Sequence, residues 1–312
     1  MGVHLIVGSG AVGTATAHAL ADAGHEVIVA TRTGKGESGP AIRHLALDAT
    51  DADRLAKAAL GAEAIYNCAN PRYHRWAEDW PPLARALLEA ACRSGATLVT
   101  MSNLYGYGPV AYPMTPNEPL DATFPNGRVR ADMWREAKAA HDAGQASVVE
   151  VRASDFFGPN TGRTSVLGRA LPNLLRGRPV TVLGDPSQPH TWSFIPDVGR
   201  TLATVATTPS TWGRAWHVAS PAPLSQRELL DHAASVAGAP APRVRRAPKL
   251  ALRVLGLFNP EMGPLLDVAY QFDGPFIMDS SETTEALGIE PTDLEEALAI
   301  TIAAERQAEV AA

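Results

Sequence analysis

Cysteine is nearly absent from this chain: Cys68 and Cys92 are the two in 312 residues. Such a pair supplies no disulfide framework and no metal-ligand spacing, and it suits a reducing compartment. Lysine is scarce too, at positions 35, 57, 138 and 249, so arginine carries most of the positive charge. The net charge is −6, which offers no electrostatic handle for nucleic acid or an anionic membrane. No apolar run approaches the ~20 residues that span a bilayer. The nine histidines form no H-E-x-x-H and no Cys/His cluster, so no metal site is expected. The first residues run straight into an apolar strand, without a basic leader or a cleavage pattern. These absences predict a cytoplasmic protein that takes a small-molecule substrate and has neither nucleic acid nor membrane as a partner.

What the chain does have is rhythm. VHLIVG (3–8) is a continuous apolar run, as suits a strand buried on both faces. AVGTATAHALADAG (11–24) is an alanine-rich helix that stops at a glycine. Further strands are expected at 25–30, within 42–51, and at 62–70, 96–102 and 147–159. Helices fall between them, near 79–94 and 127–143. This alternation predicts an α/β fold, a doubly wound parallel sheet of the Rossmann type with right-handed crossovers. Past 160 the rhythm breaks. A helix near 163–176, short strands at 179–185 and 215–220, and a helix at 225–238 with a Ser225–Glu228 capping box follow. The organisation expected is a dinucleotide-binding domain over 1–160, rejoined by 190–208. A smaller, intertwined substrate lobe would come from 161–189 and 209–312.

Gly8, Ser9, Gly10, Ala11, Val12 and Gly13 form a G-x-G-x-x-G turn between the first strand and the first helix. The glycines permit a tight turn, close approach of a pyrophosphate to the backbone, and close packing of helix on strand. The helix start offers unpaired N–H groups to phosphate. The end of the second strand reads Ala30-Thr31-Arg32-Thr33-Gly34-Lys35. It lacks the acid that holds the ribose 2′-hydroxyl of NAD, about 20 residues past the glycines. Arg32 can pair with a 2′-phosphate, helped by Thr31. The cofactor expected is therefore NADP(H), in preference to NAD(H).

With these motifs in place, the chain resembles the extended and atypical short-chain dehydrogenase/reductase superfamily, the nucleoside-diphosphate-sugar epimerases and dehydratases. GSGAVG stands at its glycine turn, and LALDATD is similar to its acidic turn at the adenine, with Asp48 as the implied contact. SNLYGYGP (102–109) is similar to its S-S-x-x-V-Y-G, and VRASDFFGP (151–159) to its R-x-x-N-x-Y-G-P. GDPSQPHTWSFIPDVGR (184–200) and FIMDSSETTEALGIEPTDLEEAL (276–298) resemble its later motifs. The resemblance implies cofactor contacts at Asn67, Cys68 and Ala69 after the fourth strand, and at Met101, Arg130 and Ser154. It also implies pairing into a homodimer through helices 79–94 and 127–143.

The same resemblance exposes a departure. The family works with a Ser/Thr and a Y-x-x-x-K, in which Tyr exchanges a proton and Lys holds the ribose and lowers the Tyr pKa. Here Met101 stands at the Ser/Thr, Asn126 at the Tyr and Arg130 at the Lys. Arg130 keeps a permanent charge. Asn126 has an amide that can polarise a carbonyl but no proton to give at neutral pH. Tyr105 is the preferred acid candidate, with Ser102 beside it and Tyr107 and Tyr112 nearby on the same loop. On the substrate side, His190 and Asp155 replace the family's Arg and Asn. That weakens an anion clamp and places a carboxylate where a diphosphate would sit. A small, non-nucleotide carbonyl or alcohol is therefore expected, in a pocket drawn from Tyr66, Tyr73, Trp76, Phe156, Phe157 and Trp192. The reading is an NADP(H)-dependent oxidoreductase or epimerase-like enzyme with a non-standard site. Two alternatives are a catalytically degenerate NADP(H) sensor and a non-redox isomerase or lyase. Arg243, Arg245, Arg246 and Lys249 form a basic patch, read as the solvated start of a helix.

Overall fold

The computed structural model of the chain describes residues 1–36, 38–248 and 262–311. Its centre is a seven-stranded parallel sheet. In chain order the strands are β1 (Val3–Val7), β2 (Glu26–Thr31), β3 (Ile42–Ala46), β4 (Ala62–Asn67), β5 (Thr97–Asn103) and β6 (Val148–Ala153). The short strands β7 (Asp155–Phe157), β8 (Val180–Val182), β9 (Pro189–His190) and β10 (Trp192–Phe194) lie outside it, and β11 (Ala215–His217) returns to it. The order across the sheet is β11-β6-β5-β4-β1-β2-β3. The order reverses beside β1, which makes the carboxyl ends of β1 and β4 the crevice where such sheets take ligands.

Alternation within the strands divides the core. Ile6, Val29, Tyr66, Val99 and Val149 face one side, where α1 (Ala11–Asp22) packs on α6 (Ile195–Thr207). Gly199 makes that contact close, since a Cβ there would meet the Ala15 carbonyl at 2.7 Å. Leu5, Ile28, Ile65, Leu98 and Val148 face the other side with Trp76, Trp80 and Leu87. They are covered by α2 (Ala52–Ala58), α3 (Trp76–Ser94) and α4 (Pro125–Asp142).

A third core lies in the second lobe, under α5 (Val166–Leu175), α7 (Gln226–Ala237) and the last helix. In this numbering β12 (Leu224–Ser225), β13 (Val244–Arg246), α8 (Met262–Asp267), α9 (Ser281–Leu287) and α10 (Leu294–Ala311) complete the strands and α-helices of the described residues. The capping box expected at α7 is formed in both directions, Glu228 N to Ser225 Oγ at 3.2 Å and Ser225 N to Glu228 Oε2 at 2.8 Å. The fully buried Asp197 ties α6 to the segment that leads into α10. It accepts hydrogen bonds from the Thr292 amide at 2.8 Å and hydroxyl at 2.6 Å.

Four expectations need correction. The run 147–159 is two strands: β6 ends at Ala153, and β7 pairs with β10 in a separate two-stranded sheet. Asp155 is thereby turned out of the main sheet. The strand near 215, assigned to the second lobe, is instead the edge of the main sheet beside β6. The basic patch is no helix start, since Val244–Arg246 is β13, paired with β8. Arg246 meets Asp273 at 2.7 Å, and Lys249 lies outside the described residues. Asn126 does not precede its helix; α4 begins at Pro125, with Phe124 in the capping position. Among the described residues, no helix is long and apolar enough to cross a membrane.

Candidate cofactor and substrate site

The glycine turn has the geometry a dinucleotide needs. Gly8 has φ +108°, and a Cβ on it would lie 2.7 Å from the Cys68 carbonyl oxygen. A Cβ on Gly13 would lie 2.0 Å from the Gly8 oxygen, so the helix can sit this close to the turn only without a side chain. At Gly10 the space is open, with no atom within 4 Å of a Cβ. Gly10 is also the capping residue of α1, and no side chain caps the helix start. Ser9, Ala11 and Val12 complete the turn at the start of α1, the kind of helix start that holds a pyrophosphate in such folds. Cys68 is buried, and burial pushes its thiol up to about 12, so it is inert packing against the turn.

At the adenosine end, Arg32 is exposed beside Asp48. The Asp48 carboxylate accepts from the Thr50 amide at 3.0 Å and hydroxyl at 2.8 Å, which holds it below the usual carboxylate range. Thr31 donates its hydroxyl to the Lys35 carbonyl at 3.4 Å, an internal use for the group expected to assist Arg32.

Three unpartnered polar atoms mark the crevice. Asn67 Oδ1, Arg130 Nε and Ser154 Oγ are buried without a hydrogen-bond partner. Asn67 ends β4 and Ser154 follows β6, while Arg130 comes from α4 and reaches the Met101 carbonyl of β5, the strand between them. Buried polar groups are costly to leave unpaired, and one extended polar ligand lying across these strand ends would satisfy all three.

Arg130 is held by more than its backbone. Its guanidinium lies over Trp76 at 4.5 Å and Trp80 at 4.4 Å, and Nη1 donates to the Met101 carbonyl at 3.4 Å. Burial lowers its pKa to about 10, so it stays charged. Asn126 uses Nδ2 to donate to the Tyr73 carbonyl at 3.2 Å. The Asn126 amide thus anchors the loop after β4. Gly127 lets α4 approach, since a Cβ there would be 2.7 Å from the Tyr105 carbonyl.

Tyr105 sits among aromatic rings: Tyr73 at 6.2 Å, Trp76 at 6.0 Å and Phe124 at 6.3 Å between centroids. Phe124 in turn is 6.1 Å from Tyr270. Burial pushes the Tyr105 hydroxyl well above its ordinary value, reinforced by the neighbouring Tyr73 and Asp155. Tyr73 rises to about 12 for the same first cause. Its hydroxyl has no partner at hydrogen-bond distance, although Tyr105 and Asn126 are near enough to bear on its pKa. Both phenols are weak acids here. Ser102 is buried on β5.

The remaining tyrosines are excluded. Tyr107 has its hydroxyl between Arg152 Nη1 and His217 Nε2, each at 2.8 Å, in a buried network that includes the Arg152–Glu150 pair at 2.6 Å. Tyr112 is exposed and bound to Glu118. Tyr66, expected in the pocket, instead puts its hydroxyl on His4 Nδ1 at 3.0 Å beneath the sheet. His4 Nε2 is 2.9 Å from His25 Nδ1 and 3.5 Å from Glu63. This trio has no sequence signature, because positions 4, 25 and 63 meet only through strand pairing. Phe157 and Trp192 are core residues of the second lobe.

Asp155 and His190 converge across the crevice. His190 Nε2 is 2.8 Å from Asp155 Oδ2, and His190 Nδ1 is 3.2 Å from the Gln271 carbonyl oxygen. The ring is 1% exposed, stacked on Phe272 at 5.1 Å with an interplanar angle of 6°. Tyr270 is the neighbour that motif spacing alone leaves out, since it arrives from a segment 80 residues past His190.

Residues 4–219 match the model of the NAD dependent epimerase/dehydratase family. A dTDP-glucose 4,6-dehydratase of Streptomyces griseus is 29% identical over 157 residues, 50% of this chain and 48% of that protein. The chain thus matches about half the length of this curated relative. Among solved structures, the dTDP-glucose 4,6-dehydratase of Streptomyces venezuelae with NAD and TYD bound has a TM-score of 0.77 at 22% identity, covering 98% of this chain and 97% of that one. The UDP-glucose 4-epimerase of Thermotoga maritima with UDP-glucose has a TM-score of 0.79 at 18% identity, covering 98% and 99%. At these identities the likeness establishes the fold.

Proposed function

This chain belongs to the NAD-dependent epimerase/dehydratase family, and from that premise we propose that it is an NADP(H)-dependent enzyme exchanging hydride with a carbonyl or alcohol carbon of a small substrate. The observation that carries this is the set of unpartnered buried atoms on Asn67 at the end of β4, Ser154 just past β6 and Arg130 of α4 beside β5. It continues from the uncapped glycine turn. The nicotinamide supplies or accepts the hydride. Arg130, permanently charged and clamped by two tryptophans, takes the electrostatic part of the missing Lys. Asn126 positions the Tyr73 loop. Tyr105 and Ser102 line the reacting space. The aromatic wall excludes water.

The substrate reading rests on His190 and Asp155. A buried imidazole committed to a neighbouring carboxylate cannot grip a diphosphate. The NADP(H) preference rests on Arg32 and on the missing acid at the end of β2. A second reading, a sugar nucleotide with NAD, is favoured by what the relatives' names state. Arg169 near Asp155 also supports it.

One experiment separates these readings. Titrate the purified protein with NADPH and NADH by fluorescence. Then offer simple ketones, aldehydes, UDP-glucose and dTDP-glucose. Preference for NADPH and turnover of simple carbonyls is expected. Equal affinity for both cofactors removes the Arg32 argument, and turnover confined to the nucleotides favours the second reading. Tight binding without turnover points to the sensor alternative.

A further inference from the structure

We propose that Asp155 and His190 are a proton-loaded pair that serves as the acid and base of this site, with Asp155 facing the substrate and His190 positioning it from behind. This rests on the hydride-transfer reading above.

Proton accounting makes the case. A carbonyl oxygen only accepts a hydrogen bond, and so does an ionised carboxylate. His190 Nδ1 faces the Gln271 carbonyl at 3.2 Å, and Nε2 faces Asp155 Oδ2 at 2.8 Å. A neutral imidazole carries one N–H and can satisfy one of these contacts. Both are satisfied when the ring is an imidazolium beside a carboxylate, or when the proton sits on Asp155. Either way the pair holds one proton more than a neutral histidine beside an ionised aspartate. The charge-assisted form is also the stronger bond.

Burial assigns the two roles. The His190 side chain is 2% exposed, between Trp192 at 4.4 Å, Phe272 and Phe276 at 5.1 Å, so it exchanges nothing with substrate directly. Asp155 is 28% exposed, and it is the face that the pair presents. It directly follows Ser154 in the chain and lies near enough to Tyr73 and Tyr105 to bear on both phenols. The groups that bear on it are His190 from β9, Tyr73 from the loop after β4, Tyr105 from the loop after β5, and Arg169 from α5. The two nearest phenols hold their protons too tightly to replace the family's tyrosine, and the pair takes that office.

The step balances as follows. Hydride with its electron pair bonds to the carbonyl carbon, and the C–O π pair moves onto oxygen. The proton passes from the pair to that oxygen, leaving neutral His190 beside the Asp155 carboxylate. Solvent restores the proton through the exposed edge of Asp155. Alcohol oxidation runs the same path in reverse.

The test uses the full-length protein. Imidazole nitrogen chemical shifts of His190 at neutral pH should show both nitrogens protonated, or one protonated beside a carboxyl that loses its proton as pH rises. A neutral ring beside a carboxylate ionised throughout overturns the pair. Asp155→Asn should keep dinucleotide affinity by fluorescence titration, which shows that the fold is intact. Its rate of carbonyl reduction should fall about 10²–10⁴-fold, with loss of the pH-dependent limb that the pair supplies. If wild type reduces carbonyls and Asp155→Asn does so at the same rate and pH profile, the pair is not the acid. If wild type moves no hydride to any carbonyl, the functional reading fails and the proposal goes with it.

Discussion

Gly10 and Gly13 belong to one motif, yet the structure gives them different duties. A Cβ at Gly13 collides with the Gly8 oxygen at 2.0 Å, while one at Gly10 meets no protein atom within 4 Å. Gly13→Ala should therefore disturb the turn itself, lowering the melting temperature along with dinucleotide affinity. Gly10→Ala should melt like wild type and still bind dinucleotide at least tenfold more weakly, because its methyl fills the space kept for pyrophosphate. Thermal scans and fluorescence titrations of the two variants check this; equal affinity for Gly10→Ala and wild type would place the ligand elsewhere. The motif was legible in the sequence as a string, but which glycine serves the fold and which serves the ligand was not.

The helix α4 depends on what it rests against. Arg130 sits between Trp76 and Trp80 of α3, and a planar guanidinium can lie over both rings where an ammonium cannot. Arg130→Lys should thus destabilise the protein by about 1–2 kcal/mol. Chemical denaturation measures this, and an unchanged midpoint would show that the stacking contributes nothing. In the sequence, the Arg at the Lys position read as an inherited charge. The two tryptophans 50 or more residues earlier gave no sign that the charge also serves as a structural wedge. Asn126 is similar: its position was legible from spacing, whereas its bond to the Tyr73 carbonyl arises from how the loop after β4 folds over α4.

Across the whole molecule, buried histidines set an acid limit. Burial lowers His4 to about 4 and His217 to about 3, against 6.5 in the unfolded chain. Between those values the unfolded state binds more protons than the folded one, so stability falls as pH drops through about 6.5. Buried Glu150, raised above its ordinary value by burial, acts in the opposite sense above 4.5. In the Asp155→Asn variant, which removes the proton-holding pair proposed above, the two histidines act against Glu150 alone and a net loss is expected. Urea unfolding of that variant should give a lower stability at pH 5 than at pH 7, and a flat profile would contradict the neutral, buried state of these rings.

The sequence by itself determined the class of fold, the glycine turn and the missing acid after β2. These are local matters of pattern and spacing, which a strand period or a six-residue turn records directly. Only the tertiary structure decided where Arg130 points, that 147–159 breaks into two strands so that Asp155 turns aside, and that His190 meets it. It also decided that Tyr66 belongs beneath the sheet with His4. Each of these depends on contacts between segments far apart in the chain, where packing and hydrogen-bond satisfaction choose among arrangements that the local pattern leaves equal.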